Sequence, residues 1–340
     1  YLTGQHTDLI IPILEFFDLK ESYVAVVNRE FNTVNELMAQ VLQNLCNDEI
    51  LNLYDGVIVQ GDTTSALSGA LAAFHEGKPV FHIEAGLRSG DMKSPFPEEM
   101  NRILISRLAT IHFCPTEGAV DNLIREGYST TQIELTGNTV VDNCHNFKRF
   151  FPKSKLLRET SEFFQHLNHQ SEEFFLVTCH RRENQQSALD VLCDGLLELV
   201  SEFRDINIVF VMHANPKLKD RVINKLGGIS NIFLVNPLPY QDFVYFIMNA
   251  KLIITDSGGI QEEAPSFNTP VMIFREETER LEVLKTGGAR LIGTNRRSLL
   301  HNLRDFLQET ITFNFSENPF GDGTASQRII NRIVQYLKNG

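Results

Sequence analysis

The chain reads as an α/β protein of two doubly wound, parallel-sheet domains facing each other across a cleft. Three observations predict it. Short apolar runs alternate with helical stretches almost from end to end, the pattern of parallel sheets with right-handed crossovers. The alternation breaks once, over a charged, Phe-rich and irregular stretch, and then starts again. The 340 residues are also more than one ordinary core accommodates and enough for two.

The elements follow in order. Tyr1-Leu2-Thr3 resembles the end of a strand, and Gly4-Gln5-His6 a polar loop. A doubly wound domain ordinarily has an earlier strand and helix, so sequence is expected upstream of Tyr1. Val57-Ile58-Val59 is a buried strand, followed by an Ala- and Leu-rich helix from Thr63 to His75. Pro79 to Ile83 is a strand, and Pro97 to Leu108 a helix marked at its start by Pro95 and Pro97. Ile111-His112-Phe113 is a strand, Thr116 to Glu126 a helix, and Ile133-Glu134-Leu135 a strand ending at Gly137-Asn138. The first domain is expected over 1–147, with a connector over 148–172. The second, over 173–324, has strands at Phe174 to Val177, Ile208 to Val211, Ile232 to Val235, Leu252 to Ile254 and Val271 to Phe274. The amphipathic run from Ser326 to Leu337 lies in a final helix, 325–340, expected to pack back on the first domain.

Composition excludes several classes. The net charge is −12, with no basic stripe to offset it, which excludes an ordinary nucleic-acid binder. No run approaches the length of a membrane span. Cys46, Cys114, Cys144, Cys179 and Cys193 are odd in number and widely spaced, without a C-x-x-C. Cys46, Cys114 and Cys193 lie in apolar patterns, so core thiols and a reducing compartment, the cytoplasm, are expected. The ten histidines show no metal-ligand spacing. Neither a metal nor a cofactor is expected, since G-x-G-x-x-G, the phosphate loop G-x-x-x-x-G-K-[ST] and the G-x-S-x-G elbow are all absent.

The chemistry collects at the ends of the strands, where open α/β sheets bind ligands. Leu252-Ile253-Ile254 runs into Thr255-Asp256-Ser257-Gly258-Gly259-Ile260-Gln261-Glu262-Glu263-Ala264. A Ser-Gly-Gly turn opening a helix presents free backbone N–H groups to an anion. The carboxylates of Glu262 and Glu263 could accept hydrogen bonds from ribose hydroxyls, a layout suited to a nucleoside diphosphate. Other strands end in Gln60-Gly61-Asp62-Thr63, Glu84-Ala85-Gly86-Leu87-Arg88, Thr178-Cys179-His180-Arg181-Arg182-Glu183-Asn184 and His213-Ala214-Asn215-Pro216. Asp62 has two readings, a reactive carboxylate or the cap of the helix beginning at Thr63. Glu98 and Glu99 also have two, reactive groups or acids placed to suit the helix dipole. Glu84 directly after an apolar strand is harder to explain as structure. His180, Arg181 and Arg182 together suit a phosphate-bearing ligand.

Taken together, these segments resemble the non-hydrolysing UDP-N-acetylglucosamine 2-epimerases. The matching stretches run in order along the whole chain: Thr3 to His6, Gln60 to Thr64, His82 to Arg88, Pro97 to Arg102, Thr136 to Val140, His180 to Asn184, His213 to Pro216, Thr255 to Pro265 and Asn318 to Gly323. The resemblance implies two Rossmann-like domains of glycosyltransferase B type. It implies interconversion of UDP-GlcNAc and UDP-ManNAc, by elimination of UDP and its re-addition through a 2-acetamidoglucal. It makes Asp62, Glu84, Glu98 and His180 the acid/base and leaving-group set, with individual roles open. It places Arg102, Asn138, Ser257, Gly258, Gly259, Glu262, Glu263 and Arg280 around the substrate. It also implies a second UDP-GlcNAc acting as allosteric activator on Gln5, His6, Gln60, Arg181 and His213, and a homodimer. Two features depart from the family pattern. The usual opening strand and Gly-Thr-Arg-Pro-Glu loop are absent, and Glu279-Arg280-Leu281-Glu282 replaces the commoner Glu-Arg-Pro-Glu.

Two rival readings stand beside this one. A retaining glycosyltransferase of the same fold would consume its UDP-sugar only when an acceptor is present. A catalytically inactive UDP-sugar-binding protein would need fewer carboxylates near the sugar than this chain carries.

Overall fold

The computed structural model describes residues 1–3, 7–19, 33–47, 50–150, 173–180, 187–315 and 317–339. It divides into two units, Tyr1–Asp142 with Phe320–Gly340, and Asn143–Pro319. Most of the expected connector, 151–172, lies outside the described residues.

In the first unit, α1 (Thr7–Phe16) and α2 (Val34–Asn47) precede four strand–helix repeats. These are β1 (Val57–Gln60), α3 (Thr64–His75), β2 (Val80–Ile83), α4 (Glu98–Leu108), β3 (Ile111–Cys114), α5 (Glu117–Arg125), β4 (Ile133–Leu135) and α6 (Thr139–Phe150), which begins in this unit and continues past its boundary at Asp142. The strands pair in parallel in the order β1-β2-β3-β4. Helix starts follow local chemistry. Thr63 caps α3 by accepting a hydrogen bond from the Ala66 amide at 3.1 Å, and Thr116 does the same for α5 from Ala119. Asp62 is therefore not the cap of α3, because the hydroxyl one residue later takes that place. Leu37, Val41 and Leu45 form the buried stripe of α2, which turns Cys46 to the outside; it is exposed rather than in the core. Gly86 has φ +84°, and a Cβ there would lie 2.3 Å from the Ala119 carbonyl oxygen, so only glycine fits where β2's loop crosses α5.

In the second unit the order is β5 (Phe174–Thr178), α7 (Ser187–Glu202), β6 (Asn207–Val211), α8 (Pro216–Leu226), β7 (Ile232–Val235), α9 (Tyr240–Asn249), β8 (Leu252–Thr255), α10 (Gly258–Glu263), β9 (Val271–Ile273), α11 (Leu281–Thr286), β10 (Ala289–Leu291) and α12 (Arg296–Leu307). A last helix, α13 (Ala325–Asn339), belongs to the first unit, where Ile329 and Ile333 pack on Phe81, Ile111 and Phe113. The second sheet is also wholly parallel, in the order β10-β9-β8-β5-β6-β7. Phe175, Leu176, Val177, Ile208, Phe210, Leu252 and Ile254 are fully or almost fully buried, as strands covered on both faces require. Each such side chain contributes about 1.5–3 kcal/mol of burial.

The strand order positions the site. From β5 the chain winds outward through β6 and β7, then returns to β8 on the other side of β5. The reversal lies between β5 and β8, and at such a point the loops beyond the two carboxyl ends diverge and leave a crevice.

Candidate functional site

In the second unit, that crevice is flanked by the loop after β5, which begins Cys179-His180, and the loop after β8, which carries Asp256 to Gly259. Asp256 is fully buried and accepts the His180 backbone N–H with both carboxylate oxygens, at 2.9 and 3.1 Å. The Thr178 and Thr255 hydroxyls meet at 2.6 Å across the two strand ends. The His180 ring stands 5.4 Å from that of His213, at the end of β6. Burial holds the His180 pKa below its ordinary value, Asp256 opposes this, and His213 adds to it. His213 Nδ1 accepts the Asn215 N–H at 2.9 Å, so the ring keeps its proton on Nε2 when neutral.

Ser257 occupies the N-cap position of α10, yet its side chain makes no capping hydrogen bond. A Cβ on Gly258 would lie 3.3 Å from Arg280 Cζ, so the guanidinium group lies over the turn. Arg280 donates from Nε to Glu262 at 2.8 Å and from Nη1 to Glu279 at 2.9 Å. The two candidate ribose carboxylates therefore differ. Both are buried, but Glu262 is committed to Arg280, whereas Glu263 is bonded to the Tyr240 hydroxyl. Burial pushes the Glu263 pKa up to about 7; Tyr240 works against this and neighbouring Glu262 adds to it. A carboxyl group raised from 4.5 to about 7 contributes stability below its unfolded pKa, and that contribution is lost as pH rises through 7. Glu263→Gln is therefore expected to stabilise the second unit at pH 8 by about 2–3 kcal/mol. The gain should vanish towards pH 4.5; hydrogen exchange of the β8 and β9 amides at the two pH values measures it.

In the first unit, Asp62 at the end of β1 accepts a 2.5 Å hydrogen bond from Arg102 Nη2, and Arg102 Nη1 binds Glu99 at 3.0 Å. Glu84 follows β2 with φ +64°, a left-handed conformation unfavourable for a residue with a Cβ. Its Oε2 lies 3.7 Å from where a Gly61 Cβ would stand, so the bend after β1 makes room for this carboxylate. The adjacent acids on α4 separate. Glu99, 1% exposed, is consumed by hydrogen bonds from Ser89 N, Gly90 N and Arg102. Glu98 keeps a buried Oε2 without a hydrogen-bond partner among the described residues. Asn138 is buried; its side-chain Oδ1 accepts the Val140 N–H at 3.0 Å, and its backbone N–H donates to the Phe320 carbonyl at 2.7 Å. Gln60 reaches the Thr139 hydroxyl at 3.5 Å. Gln5, His6 and Arg181 lie outside the described residues.

The structure thus gathers His180 and His213 with Ser257, Gly258, Gly259 and Arg280 around the strand ends of one unit. Asp62, Glu84, Glu98 and Arg102 are gathered around those of the other. Sequence reasoning passed over Asp256 and Tyr240 as site residues, and it left Glu99 with the same two readings as Glu98. Asp256 carried a signal, a charged residue directly after a four-residue buried strand. Tyr240 carried none, because its partner is fixed only by folding.

Comparison with known proteins identifies the family. The family model of UDP-N-acetylglucosamine 2-epimerase matches residues 1–334. The chain is 39% identical over 340 residues to the UDP-N-acetylglucosamine 2-epimerase of Salmonella borreze, covering 98% of this chain and 89% of that protein. It is 37% identical over 344 residues to that of Escherichia coli K12, covering 99% and 90%. Among solved structures it resembles the Neisseria meningitidis UDP-GlcNAc 2-epimerase bound to UDP-GlcNAc, with TM-score 0.89 and 32% identity over 97% of this chain and 90% of that one. It also resembles the Methanocaldococcus jannaschii enzyme in complex with UDP-GlcNAc and UDP, with TM-score 0.80 and 34% identity over 98% and 90%. A strand order that reverses beside a Ser-Gly-Gly turn, carboxylates at the ends of the other sheet and a match along nearly the whole sequence lead to one conclusion: the chain belongs to the UDP-N-acetylglucosamine 2-epimerase family.

Proposed function

We propose that this protein interconverts UDP-GlcNAc and UDP-ManNAc by eliminating UDP and adding it back through a 2-acetamidoglucal. The observation that carries the reading is Glu98, whose buried carboxylate oxygen has no hydrogen-bond partner among the described residues. An unpaired buried acceptor is costly in a purely structural role and suits a group that exchanges a proton with a ligand. Glu84, held in an unfavourable backbone conformation at a strand end, supports it. Asp62, Glu84, Glu98 and His180 form the acid/base and leaving-group set. One removes the weakly acidic C2 proton and another assists departure of UDP. Ser257, Gly258, Gly259 and Arg280 hold the diphosphate, and Glu263, with Glu262 bound to Arg280, receives the ribose. Arg102 and Asn138 help place the sugar. The deciding experiment is incubation with UDP-GlcNAc in deuterated water. Deuterium is expected at C2 of both epimers, and turnover without exchange at C2 would overturn the mechanism. Conversion without any acceptor excludes the glycosyltransferase reading.

Gly259→Val is expected to weaken UDP binding about tenfold or more, measured by calorimetry. Among the described residues a Cβ there would meet only Ser257 Oγ, at 3.9 Å, so they tolerate the change and the loss reports on the approach of the phosphate.

UDP-GlcNAc also acts on this protein as an allosteric activator, through Gln5, His6, Gln60, Arg181 and His213. Reaction from UDP-ManNAc alone then begins with a lag that traces of UDP-GlcNAc abolish, since an effector shifts a conformational equilibrium only through its differential affinity. Immediate full-rate conversion, unchanged by His213→Ala, would rule this out. The protein works as a homodimer in the cytoplasm. The five free cysteines fit a reducing compartment, and among the described residues no helix is long and apolar enough to cross a membrane. Sedimentation at micromolar concentration tests the dimer.

A further inference from the structure

We propose that Glu99 is a positioning residue that orients Asp62 through Arg102, an inference that rests on reading Asp62 as a member of the acid/base set. Glu99 follows Glu98 on the first turn of α4 but faces a different task. Its Oε1 and Oε2 both lie 3.0 Å from the Ser89 amide, and Oε1 lies 3.1 Å from that of Gly90. Its Oε2 also accepts Arg102 Nη1 at 3.0 Å. The other end of the same guanidinium group, Nη2, donates to Asp62 at 2.5 Å.

The contacts form one continuous chain. The loop after β2 is tied by two backbone amides to Glu99, Glu99 to Arg102, and Arg102 to the carboxylate at the end of β1. A planar guanidinium has a rigid fork, so fixing one nitrogen fixes the direction of the other. Glu99 is 1% exposed and the Arg102 side chain 13%, which shields the contact from competing water. The Asp62 side chain is 26% exposed and so open to reorientation once Arg102 is released. Glu99 thus sets the orientation of a reactive carboxylate without touching the substrate.

The variant Glu99→Gln isolates the Arg102 arm. Its amide oxygen still accepts the Ser89 and Gly90 N–H groups, but its amide nitrogen turned towards Arg102 offers a donor to a donor. With UDP-GlcNAc as substrate, kcat should fall about tenfold or more, while UDP affinity by calorimetry stays within about twofold. Glu99→Asp, which keeps the charge but shortens the reach, should recover part of the loss. If Glu99 acts through Arg102, Glu99→Gln with Arg102→Gln is no slower than Arg102→Gln alone. Wild-type kcat in folded Glu99→Gln, or multiplicative losses in the double variant, would overturn the proposal.

A measurement independent of activity separates this inference from the epimerase reading. In ¹⁵N-arginine-labelled protein, Arg102 should show hindered rotation of its guanidinium group that is released in Glu99→Gln. Arg88, held by Glu126 at 2.6 and 2.9 Å, should stay hindered in both and serves as the reference. Unchanged hindrance at Arg102 overturns the positioning role even if the protein proves inactive on UDP-GlcNAc. Absence of C2 exchange in the wild type sinks the epimerase reading alone.

Discussion

Replacing Glu98 or Glu84 by glutamine should lower turnover of UDP-GlcNAc by about a hundredfold or more, the usual contribution of a positioned acid or base. Glutamine keeps the size and shape of each side chain but removes its charge and its ability to exchange a proton. For Glu98 the geometry makes the reading clean. Its buried Oε2 has no partner among the described residues, so the substitution breaks no hydrogen bond of that atom. Glu84 permits a sharper test. Its φ of +64° is unfavourable for any residue with a Cβ, and Glu84→Gly should relieve about 1–2 kcal/mol of backbone strain. Turnover should nevertheless collapse, as it does in Glu84→Gln. A more stable but inactive Glu84→Gly would mark the strained carboxylate as retained for chemistry at the expense of the fold. If both glutamine variants turn over within about threefold of wild type, these carboxylates are not the acid/base pair. Deuterium incorporation at C2, followed separately from the appearance of the second epimer, shows which of the two acts on the C2 proton.

The second large effect is on the pH dependence of the first unit. His82 on β2 and His112 on β3 are partners in the parallel register and are both fully buried. His82 Nε2 is within 2.9 Å of the Gly61 carbonyl, while its Nδ1 and both ring nitrogens of His112 have no hydrogen-bond partner among the described residues. Burial lowers each pKa from 6.5 to about 4. For His82 the Gly61 carbonyl and Asp62 oppose the shift, and Arg88 and Arg102 add to it; for His112, His82 and Arg88 add to it and Glu126 opposes it. These are groups with depressed folded values. Between pH 4 and 6.5 the unfolded chain binds protons that the folded chain refuses, so stability rises with pH across that window. The contribution is fully present above 6.5 and lost as pH falls to 4. The two shifts, 6.5 minus about 4 in each case, together correspond to roughly 5–7 kcal/mol. Hydrogen exchange of the β2 and β3 amides from pH 7 to pH 4 is expected to show this loss. His112→Phe should flatten the profile by about half, because phenylalanine keeps the contact that His112 makes with the Tyr128 ring at 4.8 Å and carries no proton to bind. An unchanged profile in that variant would mean that the acid sensitivity arises elsewhere.

The sequence by itself determined the two-unit α/β class and most of the strands and helices. Alternating apolar runs and helical stretches report burial on both faces of a parallel sheet, and this needs no long-range information. It also determined the family, because ordered motifs at strand ends are local signals that survive without coordinates. The Ser257-Gly258-Gly259 turn was legible for the same reason, since the role proposed for it rests on backbone groups adjacent in sequence.

Tertiary structure decided how neighbouring, chemically identical residues divide their work. Glu98 and Glu99 are equivalent as letters; packing of the loop after β2 occupies Glu99, while an oxygen of Glu98 has no hydrogen-bond partner among the described residues. Glu262 and Glu263 are separated in the same way by Arg280 and Tyr240, which come from elements remote in sequence. Asp62 read equally well as a cap or as a reactive group until Thr63 proved to be the cap and Arg102 its ion-pair partner. Strand order, too, was hidden in the sequence, because hydrophobic patterning records which strands are buried but not which are neighbours. The return of β8 to the side of β5 sets the reversal beside His180 and Ser257. In each case the deciding quantity is a contact whose geometry exists only once the chain has folded.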